Sequence, residues 1–138
     1  MRRSALCGFD VKGFVDWYIT TGTFKRECFL EAVKTTVIPH MNPFPGKRSV
    51  LILDNASIHK CTELLALVNQ VGGLLLFTPP YCYDCTPLDN GAFGWVRRYL
   101  QKHSAIFQQV SLEEALSKAF RRVRPQHARC FFKNCQYL

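Results

Sequence analysis

The chain has 138 residues, enough for one domain with a real core and too few for two comfortable ones. Its 48% hydrophobic content argues against disorder. Its longest apolar runs, Val50 to Leu53 and Leu74 to Phe77, are too short to span a membrane, and no apolar signal core follows the basic start Met1-Arg2-Arg3.

The net charge of +8 is unevenly placed. Residues 1–93 carry nine Lys and Arg against eight Asp and Glu, whereas residues 94–138 carry nine against two. A basic region of this kind suits a polyanion, nucleic acid above all; the plain alternative is a solvated basic helix surface.

In chain order, Ser4 to Phe9 and Phe14 to Thr20 are short apolar, β-branched and aromatic runs. Asp10-Val-Lys-Gly13 between them predicts a hairpin. A helix is expected from about Phe24 to Val37, where Phe29, Ala32, Val33 and Val37 recur at three- and four-residue spacing. Pro39, Pro43 and Pro45 end it and make a loop. Val50 to Leu53 shows no polar alternation, the pattern of a strand covered on both faces. Cys61 to Val71 follows as a helix closed by Gly72-Gly73, and Leu74 to Phe77 is a second fully apolar strand. After a Pro-rich exit come helices at Leu88 to His103, Leu112 to Val123 and Gln126 to Asn134. Ser111 is the expected cap of the middle one, with Glu113 and Glu114 in its first turn. Hairpin, helix, strand, helix, strand, helices implies an α/β domain over residues 1–138, a mixed sheet flanked by helices.

Seven cysteines make an odd count with no regular framework. Cys82-Tyr83-Asp84-Cys85 has half a zinc spacing, and His127, Cys130 and Cys135 are the available partners. Small reduced core residues of an intracellular protein account better for most of them.

Two acids carry the chemistry. Asp54 directly follows the apolar strand, at the carboxyl end where ligands collect in open α/β sheets; its alternative role is a cap on the next helix. Asn55 and His59 stand beside it, placed to contact phosphate or orient water. Asp89, with 34 residues between it and Asp54, sits where the Pro-rich loop turns into a helix, and its alternative is to complement a helix dipole. Asp84 competes from the loop itself, where Tyr81 and Tyr83 either stack on a base or pack. Two carboxylates brought together can hold divalent metal ions for phosphodiester chemistry. In the basic back end, Arg97, Arg98 and Lys102 follow Asp89, and Arg121, Arg122 and Arg124 close the next helix.

The segments Leu51-Ile-Leu-Asp-Asn-Ala-Ser-Ile-His59 and Pro79-Pro-Tyr-Cys-Tyr-Asp-Cys-Thr-Pro-Leu-Asp89 resemble the catalytic domain of mariner-type transposases. These form the Tc/mariner superfamily of DDE (Asp-Asp-Glu/Asp) enzymes, with an RNase H-like fold. The typical third-acid segment of that group reads Pro-Pro-Tyr-Ser-Pro-Asp-Leu-Asn-Pro-Ile-Glu, and its final acid falls on Asp89. The second acid falls on Asp54, and the 34-residue gap is also characteristic. Val37 to Gly46 and Cys130 to Tyr137 look like the same group, so the resemblance covers nearly the whole chain.

Three departures stand out. Cys82-Tyr83 and Cys85-Thr86 replace the Ser-Pro and Leu-Asn of the loop. The third acid is Asp rather than Glu, which the mariner branch accepts. The first Asp of the family lies on a strand before the segment matching Ser4 to Phe9, and neither Asp10 nor Asp16 corresponds to it. The resemblance thus implies an amino-terminally truncated RNase H-like domain without its first catalytic strand. In that fold the absent strand is central, so the hairpin and the Val50 strand would lack their shared neighbour.

The implied reaction is DNA strand cleavage and transfer by two metal ions, Mg2+ or Mn2+, held by Asp54 and Asp89. With the first acid absent, metal binding should be weakened and the chain inactive alone. The resemblance implies DNA as partner, admits a homodimer, and places the protein in the nucleus or elsewhere inside the cell. The rival reading is a non-catalytic DNA- or protein-binding module derived from a transposable element. A small zinc module is a third.

Overall fold

The computed structural model describes residues 3–53, 62–78 and 86–137. Strands β1 (Arg3–Asp10) and β2 (Gly13–Thr21) pair through the two-residue connection Val11-Lys12, which only antiparallel strands admit. Asp10 Oδ1 accepts the Lys12 amide at 2.9 Å and closes the turn. Helix α1 (Arg26–Thr36) leads through a single 3-10 turn, Ile38–His40, to strand β3 (Val50–Leu53). Helix α2 (Thr62–Gln70) and strand β4 (Leu74–Phe77) follow. A π-helical turn at Leu88–Ala92 then opens a helical region: α3 (Phe93–Lys102), the short α4 (Ser104–Phe107), α5 (Leu112–Arg122) and α6 (Pro125–Asn134).

The chain forms two compact units. One comprises Met1–Gly8 and Val15–Tyr81; the other comprises Phe9–Phe14 and Cys82–Leu138, so the hairpin gives its base to the first and its tip to the second.

In the first unit β3 and β4 run parallel, in the register Val50↔Leu74 to Leu53↔Phe77. Helix α2 supplies the crossover that a parallel pair requires. The core is Phe29 and Val33 of α1 with Leu64 of α2, and Leu53 and Leu75 pack on it from the sheet. Strand periodicity sends the alternate residues the other way. Val50 and Ile52 are each 37% exposed, Leu74 is 42% and Leu76 is 53%. The uniformly apolar strands predicted cover on both faces; among the described residues, only the face turned to α1 and α2 has it. The expected single mixed sheet differs too. Among the described residues the strands form two separate two-stranded sheets, β1 with β2 and β3 with β4, because no described strand pairs with a member of both. Cys7 lies in β1, where burial pushes its thiol up to about 12, so it stays protonated at neutral pH.

The second unit is built on small residues and rings. Val96 of α3, Ala115, Ala119 and Phe120 of α5, Val123 just after α5, and Ala128 of α6 are buried. The hairpin tip adds Phe14, whose ring centroid is 4.6 Å from that of Phe120, and Phe9, stacked at 5.5 Å on Phe132. Gly13 has φ +124°, and a Cβ there would meet the Val123 carbonyl oxygen at 2.9 Å. Only glycine meets both conditions. Ser111 caps α5 as expected, its hydroxyl accepting the Glu114 amide at 3.2 Å.

Candidate functional site

Of the residues singled out from the sequence, Asp54, Asn55 and His59 lie outside the described residues, as do Tyr81, Tyr83, Asp84 and the Cys82/Cys85 pair. The framework leading to them is defined. Because β3 and β4 are parallel, Leu53 and Phe77 lie side by side at the same carboxyl end. Thr78 ties that end together, its amide donating to the Leu53 carbonyl at 2.8 Å. Both motif segments therefore leave the β3–β4 pair from one end.

Asp89 is an exposed residue of the π-helical turn. The sequence predicts one helix from Leu88 to His103, but the backbone breaks at Asn90 (φ −98°, ψ 40°) and Gly91, and α3 proper starts at Phe93. Asp89 thus precedes the first turn of α3. Thr86 holds it: the threonine hydroxyl donates to Asp89 Oδ2 at 3.1 Å, and the Asn90 amide donates to the Thr86 carbonyl at 2.9 Å.

Helix α6 braces this turn. Asn90 Nδ2 donates to Cys135 Sγ at 3.7 Å. A Cβ at position 91 would lie 2.5 Å from Phe131 Cδ1, a clash that explains the glycine. Gly91→Ala is accordingly expected to destabilise the protein by about 1–3 kcal/mol through overpacking. Gly94→Ala, whose Cβ would meet only the flexible Arg98 guanidinium at 3.4 Å, should be neutral or stabilise by up to about 1 kcal/mol. Urea midpoints of the two variants check this, and equal midpoints would mean that the turn tolerates the intrusion.

The basic residues of the back end are all exposed: Arg97, Arg98 and Lys102 on α3, Arg121 and Arg122 in the last turn of α5, and Arg124 at the start of α6. Arg122 Nε donates to the Tyr99 hydroxyl at 3.3 Å, bringing the basic end of α5 against α3. The sequence reading passed over what lies at that junction. Trp95 and Tyr99 are stacked with centroids 5.5 Å apart and planes at 8°, and His103 follows at 4.4 Å from Tyr99. His127 tilts against Trp95 at 5.3 Å, and Phe107 lies 5.8 Å from Tyr99. The signal was present as aromatic rings four residues apart along α3, a spacing that lines them up on one face.

As a metal ligand, Asp89 fits by donor type, since an exposed carboxylate suits a hard divalent cation. Among the described residues no group of three or more His, Cys, Asp or Glu is placed to hold a metal ion. Asp16 on β2 lies 3.5 Å from His40, an ion-pair distance. Of the remaining zinc candidates, His127 Nδ1 accepts the Arg124 amide at 3.2 Å in capping α6, and Cys135 accepts from Asn90. No helix among the described residues is long and apolar enough to cross a membrane.

No curated protein matches the chain. A family profile described as DDE superfamily endonuclease matches residues 2–113, a span that contains the hairpin, both apolar strands, both acid motifs and α3. The chain belongs to the DDE superfamily endonucleases.

Proposed function

We propose that this chain is a mariner-type, RNase H-like domain that supplies the second and third acids of a metal-dependent DNA cleavage and strand-transfer site, Asp54 and Asp89. The observation that carries this reading is the family match over residues 2–113, with both acid motifs inside it at a 34-residue gap. The common carboxyl end of β3 and β4, from which both motif segments depart, supports it. So does the braced, exposed placement of Asp89.

Asp54 and Asp89 hold Mg2+ or Mn2+, which when bound supplies Lewis-acid activation of water and charge stabilisation at the leaving oxygen. Asn55 and His59 contact the scissile phosphate or orient the attacking water. Arg97, Arg98, Lys102, Arg121, Arg122 and Arg124 hold the DNA backbone without reading bases. No residue of the chain matches the first acid of the family, so these 138 residues supply two of its three acids and by themselves are inactive. Among the described residues the hairpin and the β3–β4 pair form separate sheets, with no strand shared between them. Such a domain works on DNA in the nucleus or elsewhere inside the cell, and it admits a homodimer.

Manganese binding, followed by water-proton relaxation, tests the pair directly. Asp54→Asn and Asp89→Asn should each weaken binding roughly tenfold or more, because one of few anionic ligands is lost. Asp10→Asn and Asp16→Asn should leave it unchanged. If Asp54→Asn and Asp16→Asn behave alike, the assignment of Asp54 fails.

A further inference from the structure

We infer that the aromatic column on α3 is a stacking platform for unpaired bases, so that the basic face of the second unit takes single-stranded nucleic acid in preference to duplex. This rests on reading that face as a polyanion surface and adds the kind of polyanion it selects.

Three observations lead there. First, the column is not the core of its unit. Val96 is buried, as are Ala115, Ala119 and Phe120 of α5, whereas Trp95, Tyr99 and His103, four residues apart along α3, are only partly buried. Second, the Trp95 and Tyr99 rings are nearly parallel, at 8° and 5.5 Å, with His127 tilted against Trp95 at 5.3 Å and Phe107 tilted against Tyr99 at 5.8 Å. The rings are therefore pre-ordered, and a base that joins them orders little further side chain. Third, the surroundings are cationic: residues 94–138 carry nine Lys and Arg against two acids, and Arg122 is bonded to the Tyr99 hydroxyl itself. Phosphates spaced along a strand match the charges while its bases match the rings. In a duplex the base faces are already covered by their neighbours, so it can use only the charges. Stacking on aromatic side chains tolerates any base, and no side chain here is needed to read an edge.

The test uses the full 138-residue chain, a labelled oligothymidylate, an abasic strand of the same length and an unrelated duplex, all at one salt concentration. Oligothymidylate should bind about tenfold more tightly than the abasic strand, as expected for one or two stacked bases. Tyr99→Ala should erase that difference while leaving the abasic strand and the duplex bound as before. Thymidylate should also quench intrinsic fluorescence. Trp95→Phe, which keeps a ring in the column, should lose the quench and keep the preference, a readout that does not depend on a disrupted fold. Equal binding of thymidylate and abasic strand, with the duplex still bound, overturns the platform and spares the basic surface. Failure to bind any of the three overturns both.

Discussion

With magnesium or manganese, the 138-residue chain is expected neither to nick plasmid DNA nor to join DNA ends, and an amino-terminal extension carrying a strand that ends in Asp should switch cleavage on. The expectation follows from ligand count. Two carboxylates leave a pair of divalent ions underheld, and a metal clamp on attacking and leaving oxygens stabilises the transition state by several kcal/mol. At about 1.4 kcal/mol per tenfold in rate, the gain on restoring the third acid is on the order of a thousandfold or more. In the extended chain, Asp54→Ala and Asp89→Ala should each return activity to background. Robust cleavage by the 138 residues alone, abolished by Asp54→Ala, would show that two acids suffice and that the inactive reading is wrong.

The second large effect concerns salt. Changing Arg121, Arg122 and Arg124 together to Ala should weaken binding to any duplex alike. It should also make the slope of log affinity against log salt shallower by about 2.7, since each phosphate contact contributes about 0.9. Loss of affinity without loss of selectivity is expected because these side chains meet phosphates rather than base edges. The measurement is a salt titration of the unmodified protein and the triple variant on two unrelated duplexes, with circular dichroism to confirm the helices. Arg122 also donates to Tyr99, so Arg122→Ala alone should be compared with the triple variant. Indistinguishable slopes would reduce the arginines to a solvated helix surface.

How the first unit was legible, and where it was not, is clearest at β3 and β4. Four consecutive apolar residues flanked by turn signals place each strand to the residue, Val50–Leu53 and Leu74–Phe77, and a helix of nine residues between them makes the pair parallel. Whether such a strand is covered on one face or two is absent from its own sequence, because cover is supplied by other elements. Among the described residues Leu53 and Leu75 pack against the core of α1 and α2, while Ile52 and Leu76 stay exposed. The hairpin turn and the Ser111 cap were legible for the same reason as the strands: their partners lie within a few residues.

The second unit shows the opposite. An unbroken helix from Leu88 to His103 is what local propensity favours, yet the chain kinks at Asn90 and Gly91, where Phe131 occupies the space a side chain at position 91 would need. The clash spans forty residues of sequence, beyond any local pattern. The aromatic column was half legible. The four-residue spacing of Trp95, Tyr99 and His103 is written in α3, but His127 from α6, Phe107 from α4 and Arg122 from α5 join it only once those helices pack. The sequence alone therefore determined the family, the acid motifs and the order of elements, because motif chemistry and short-range periodicity are local. Tertiary structure alone decided which faces stay open, where the helix breaks under Asp89 and which rings stand together, because each of those depends on what a distant segment brings into contact.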